Sequence, residues 1–302
     1  MGYNFKMTVK KRKSFGDYKA DSANWITLAT GEYYPDILPY ACDLYEPIIA
    51  LFGKLLKTSE SSERLFLQIM EQRNGWTRIQ LARVFRKYVS PATPVEMLKR
   101  KAKVGELLKQ FGREFRPIHE VQKAYNTRLK RDEALCALLW EYKDRGKKGY
   151  DLTERFFGLI RTRFSSLKID GPERAGQDIL MGQVFSNYPN PTRPVDFVIR
   201  EGDEVLAIGL ARYDSDRGGA QEDDRTGQYH TAVDEILGYS HKHRLRTKVL
   251  LLNDGPGLLL GSMWKDYSKL EDGHLGEVLV VTLRMIPERL TLDWLRGKKA
   301  KK

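Results

Sequence analysis

Arg193-Pro-Val-Asp-Phe-Val-Ile-Arg-Glu-Gly-Asp-Glu-Val-Leu-Ala-Ile-Gly-Leu-Ala-Arg-Tyr-Asp214 is the stretch whose reading decides the fold of the second half of the chain. Two apolar runs rich in β-branched residues, 194–200 and 205–213, flank the polar tetrapeptide Glu201-Gly-Asp-Glu204. A short polar break with glycine between two such runs predicts a β-hairpin. Folded symmetrically about Gly202 and Asp203, the hairpin sets Asp196 opposite Gly209. Asp196 is then a lone carboxylate opening an otherwise apolar strand, directly after Pro194-Val195.

Outward from the hairpin, the segment 151–165 reads as a helix with Phe156, Phe157, Leu159 and Ile160 on its buried side. Downstream come a polar loop over 214–225, a helix through 229–241, and the apolar strand Lys248-Val-Leu-Leu-Leu-Asn253. A helix near 258–270, a strand over 277–283 and a closing helix over 289–296 complete the reading. Helices alternating with a hairpin and single apolar strands predict an α/β core with a mixed central sheet. Arg145-Gly-Lys-Lys-Gly149 is the clearest break ahead of it, and divides the chain at 1–148 and 149–302.

The first half differs in kind. Apolar residues between 40 and 145 recur at three- and four-residue spacing, which predicts helices over 42–57, 61–72, 77–88, 94–110, 117–129 and 132–144. The whole chain is therefore expected to be α+β, with an all-helical N-terminal region. Residues 1–150 carry 29 Lys+Arg against 17 Asp+Glu, while 151–302 carry 23 of each, so the net charge of +12 lies in the helical half. A basic half joined to a neutral one suits a polyanion partner, here double-stranded DNA.

Within that half, 76–103 reads as two helices joined by the break Val89-Ser-Pro-Ala92, a helix-turn-helix-like unit. Thr93 is placed as N-cap with Pro94 in the first turn and Glu96 closing a capping box. The second helix would present Lys99, Arg100, Lys101 and Lys103 to a duplex, with Arg78, Arg83 and Arg86 of the preceding helix as backbone contacts. Leu81, Val84, Met97 and Leu98 are expected in the core. The aromatic-rich start, with Trp25, Tyr33, Tyr34, Tyr40 and Tyr45, is expected to pack on the helical domain. Lys10-Lys-Arg-Lys13 is either a phosphate-gripping arm or ordinary terminal charge.

Several classes are set aside. No apolar run approaches the roughly 20 residues that span a bilayer. The start lacks the order of a secretion signal, and position six is Lys where a myristoylation motif wants Ser or Thr. Cys42 and Cys136, the only cysteines, are expected as buried small hydrophobes in a reducing, cytoplasmic setting. His230, His241 and His243 lack the companions of a zinc site. Asp254-Gly-Pro-Gly257 lacks the Lys-Ser/Thr of a phosphate-binding loop.

The helix–strand–strand–helix–strand order over 150–296, with Pro194-Val-Asp196 opening the hairpin, resembles the PD-(D/E)XK nuclease superfamily, nearest to the cleavage domains of Type II restriction endonucleases. The resemblance implies a Mg2+-dependent DNA endonuclease in which Asp196 binds metal. It also implies a second acid and a lysine two residues apart on the next strand. Those positions are Gly209 and Ala211, which supply neither group. One reading moves the missing functions to Asp214, Asp216 or Glu222, to Asp178 upstream (with Glu173 a weaker candidate), and to Arg212 for the positive charge. Alternatively, the chain is an inactivated nuclease or a non-catalytic DNA-binding protein on a nuclease-like fold, or Asp196 is an ordinary strand-edge residue. A homodimer is implied by analogy, since cutting both strands calls for two active sites.

Overall fold

The computed structural model describes residues 13–29, 31–95, 98, 101–144, 147–173, 176–215 and 221–297, with side chains described except at 101, 143, 144, 147–150 and 221–226. The chain is α+β and divides into two compact units, one formed by 31–145 and the other by 1–30 together with 146–302. No helix among the described residues is long and apolar enough to cross a membrane.

The unit 31–145 is helical: α1 Leu38–Thr58, α2 Ser62–Glu71, α3 Gly75–Tyr88, α4 Val104–Phe111, α5 Ile118–Asn126 and α6 Glu133–Asp144. Short polar side chains start three of them, Asp132 accepting from the Leu135 N–H of α6 at 2.9 Å. Ser61 accepts from the Arg64 N–H at 3.1 Å and Asn74 from the Thr77 N–H at 2.9 Å, each satisfying a donor that the first turn leaves without a partner. The apolar faces close on Phe66, Phe85 and Phe115, whose rings meet in tilted and edge-on pairs, and on Phe52, which packs on Tyr88 and Tyr125. Leu81, Val84 and Leu98 are buried as expected; Met97 lies outside the described residues.

The helix expected over 94–110 is shorter. Residues 91–94 form turn and coil, a 3-10 turn covers Lys101–Lys103, and α4 begins at Val104. Thr93 is buried, and its Oγ1 caps no N–H among the described residues, although Val95 two positions on is 3-10 helical.

The other unit holds α7 Lys147–Arg163, β1 Lys168–Asp170, β2 Ile179–Leu180, α8 Met181–Val184, β3 Pro194–Val195, β4 Phe197–Glu201, β5 Glu204–Tyr213, α9 Gln221–Lys242, β6 Lys248–Asp254, α10 Met263–Gly273, β7 Val278–Val281, α11 Ile286–Arg289 and α12 Leu292–Leu295. Its main sheet runs β1-β4-β5-β6-β7, and β2 pairs with β3 beside it. The pairs β1–β4 and β4–β5 are antiparallel, whereas β5–β6 and β6–β7 are parallel, with α9 and α10 as the crossovers. Phe156 and Phe157 of α7 pack on the Phe197 ring at 4.7 and 6.2 Å. Leu159, expected on that buried side, is 38% exposed.

Residues before 31 belong to this α/β unit, not to the helical one as a cut at 148 implied. Phe15 stacks on Trp264 at 4.4 Å, and its N–H donates to Glu271 at 2.9 Å. Trp25 packs on the α/β core, whereas Tyr45 is buried in the helical one. Tyr33, Tyr34 and Tyr40 are exposed.

Candidate active site

Asp196 sits at the bend between β3 and β4, and the β4–β5 register fixes what faces it. The two-residue turn forms as expected, with Gly202 at φ +56, a left-handed conformation that glycine adopts without strain. The register slips at a bulge: Arg200 pairs with Val205 but Ile199 with Ala207, leaving Leu206 as the extra residue. Phe197, not Asp196, is therefore opposite Gly209. A Cβ at 209 would stand 1.9 Å from the Phe197 ring, so the expected second-acid position is occupied by aromatic packing.

The slip gives Gly209 and Ala211 a backbone role. The Asp196 N–H donates to the Gly209 carbonyl at 3.0 Å, and Asp196 Oδ2 accepts from the Ala211 N–H at 2.7 Å. Burial pushes the Asp196 carboxyl up to about 6; the Ala211 hydrogen bond works against the rise, and the negative charge of Asp178 adds to it. Asp178 is thus close enough to be felt at Asp196.

Asp214 is differently employed. It is 2% exposed, and Oδ1 accepts from Arg212 Nε at 2.8 Å. Its N–H donates to the Asp254 carbonyl and its own carbonyl accepts from the Gly257 N–H. Gly255, at φ +108, lies so close to the Asp214 carbonyl that a Cβ there would come within 2.3 Å. The turn Asp254-Gly-Pro-Gly257 is thereby explained as a clasp on the end of β5. Asp254 accepts from the N–H groups of Thr27, Gly255 and Leu283 and ties the N-terminal segment to the sheet.

Two residues that sequence reasoning missed join this region. Tyr229 of α9 has its hydroxyl pushed well above its usual pKa, first by burial, then by Tyr267 and by the charges of Asp196 and Asp214, against the opposing charge of Arg212. Asn253, paired in register with Arg212, is fully buried with neither amide atom hydrogen-bonded among the described residues. Such a group is ordinarily satisfied by water or a ligand. A polar residue ending an apolar strand is the one signal that could have marked it.

Other expectations resolve as follows. Asp178, Asp196 and Asp214 do not gather into one ligand set: among the described residues no three His, Cys, Asp or Glu side chains do. Glu173 bonds Arg161 at 2.5 Å. Asp216 lies outside the described residues, as does the Glu222 side chain. His241 bonds Glu277 at 2.6 Å and the His243 ring lies against Tyr239. In the helical unit, Arg78 Nη1 donates to the Gln72 carbonyl and Arg83 Nη1 to Gln80 Oε1. Lys103 pairs with Glu106 at 2.9 Å. Lys99 and Arg100 lie outside the described residues, and so does the side chain of Lys101. Cys42 and Cys136 are free and buried.

Comparison with known proteins finds no family model, no curated protein and no solved structure that matches this chain.

Proposed function

We propose that the chain is a Mg2+-dependent endonuclease of double-stranded DNA, built like a Type II restriction enzyme of the PD-(D/E)XK superfamily. The observation that carries the reading is Asp196: a half-buried carboxylate at the opening of a hairpin whose second strand passes through a helix into a parallel neighbour. The order α7, β4–β5 hairpin, α9, β6, α10 and β7 supports the resemblance, and β1, β2 and α8 are additional to it.

The donor set suits Mg2+, which is commonly held by one or two carboxylates, with water and phosphate oxygens completing its shell. Asp196 and Asp178 would be those carboxylates, their mutual repulsion relieved by a cation. Asp214, committed to Arg212, would not. Bound there, the ion would neutralise charge on the scissile phosphate and supply hydroxide. Ala211 orients Asp196 through its N–H. Arg212 is the cation nearest in sequence to the vacant lysine position, held in place by Asp214.

The packing of Phe197 over position 209 favours a second reading, a DNA-binding protein on a nuclease-like fold that does not cut. Incubating the purified protein with long mixed-sequence DNA, in Mg2+ or in EDTA, separates the two. The nuclease reading expects discrete Mg2+-dependent fragments, abolished in Asp196→Asn while DNA binding persists. Bound but uncut DNA under both conditions sinks it in favour of the second reading. Cleavage by Asp196→Asn at the wild-type rate removes Asp196 from the site.

A further inference from the structure

Helices α3 and α6 gather three cations at one ring. Cζ of Arg83 is 5.4 Å, Cζ of Arg86 5.8 Å and Nζ of Lys87 5.5 Å from the centre of the Tyr142 ring. The ring's negative face draws each of them in, but three like charges in so small a space repel one another. Two are held by hydrogen bonds: Arg83 Nη1 donates to Oε1 of Gln80, which is 4% exposed, and Arg86 Nε donates to the Pro91 carbonyl. Lys87 is exposed, and neither it nor Arg86 pairs with a carboxylate among the described residues. Trp76, 47% exposed, precedes Arg83 by two helical turns and so lies on the same face of α3. Charges fixed in advance lose little side-chain freedom when a partner arrives.

We propose that this α3–α6 face, centred on Tyr142, grips the sugar-phosphate backbone of duplex DNA, with Arg83, Arg86 and Lys87 meeting phosphate oxygens. Phosphates supply negative charge to Arg86 and Lys87, which pair with no carboxylate among the described residues, and the basic excess of the chain lies in this half. Arg83 and Arg86 are the backbone contacts that sequence spacing placed on this helix, and Lys87 and Tyr142 are added to them. The proposal rests on the nucleic-acid part of the function given above.

The test is binding of a labelled mixed-sequence duplex to the full chain in EDTA, across a series of salt concentrations. Each phosphate contact contributes about 0.9 to the slope of log affinity against log salt. Arg83→Gln/Arg86→Gln/Lys87→Gln should flatten the wild-type slope by roughly 3 if all three engage. Lys87→Gln alone, at an exposed position that packing does not need, should flatten it by about 0.9. Tyr142→Leu should weaken binding several-fold while Tyr142→Phe retains it. Wild-type slopes in the triple and single variants would overturn the proposal and leave the nuclease reading intact. Tight, salt-dependent binding in EDTA with no cleavage once Mg2+ is added would sink only the nuclease reading. A wild-type protein that binds no duplex at low salt would overturn both.

Discussion

Removing the Asp196 carboxylate from water costs free energy that, among the described residues, one N–H, from Ala211, offsets. An acid whose folded pKa is about 6 and whose ordinary value is 3.8 binds more protons folded than unfolded between those two values. Stability therefore falls as pH rises through that window and levels off above it. Asn at 196 keeps an oxygen for the Ala211 N–H and has no proton to lose. In metal-free buffer Asp196→Asn should be more stable than wild type near neutral pH, by no more than about 3 kcal/mol. The gain should vanish below about pH 4. Urea titrations at both pH values measure it, and an unchanged difference between them would mean that Asp196 titrates as an ordinary carboxyl. A group held at such a cost fits a role outside folding, as does the unpaired amide of Asn253. Restoring an acid at 209 is the wrong repair, since any side chain there displaces the Phe197 ring.

Among the elements, those marked by an apolar run or period were legible and those that depend on a single residue or a distant partner were not. The hairpin, α9 and β6 follow from apolar period and turn residues. The bulge at Leu206 leaves no mark, because the residues from Val205 to Leu210 are apolar or small whichever register they take. That one residue decides whether Asp196 or Phe197 meets Gly209, so the site was legible in its leading carboxylate and not in its surroundings. Likewise, nothing local shows that Phe15 lies against Trp264, or that Glu271 receives the Phe15 and Val280 N–H groups while pairing with Arg289. This ion pair is almost wholly buried, with Arg289 at 1% and Glu271 at 6% side-chain exposure. Such a pair is worth little against an apolar substitute, but losing one partner strands a buried charge. Glu271→Gln should therefore destabilise the protein by about 3–5 kcal/mol in denaturant titration. A loss below about 1 kcal/mol, the usual worth of exposed pairs, would show that the pair behaves as a surface one.

For the whole molecule, the chain leaves the α/β unit after its first thirty residues, forms the helical unit, and returns at 146. The helical unit is thus an insertion with its own core and a continuous sequence, within the range of domains that fold alone. A fragment 31–145 should give a helical circular-dichroism spectrum and one cooperative unfolding transition. The fragment 149–302, cut where composition alone places the boundary, should not. It lacks Phe15 for Trp264, the Thr27 N–H for Asp254, and the Trp25 carbonyl to which Thr282 donates at 2.5 Å, so several buried groups are left bare at once. Rejoining 1–30 to 146–302 through a short Gly/Ser linker should restore cooperative unfolding. If 149–302 alone unfolds as sharply as the rejoined form, the N-terminal segment is an accessory and the domain boundary belongs at 148 after all.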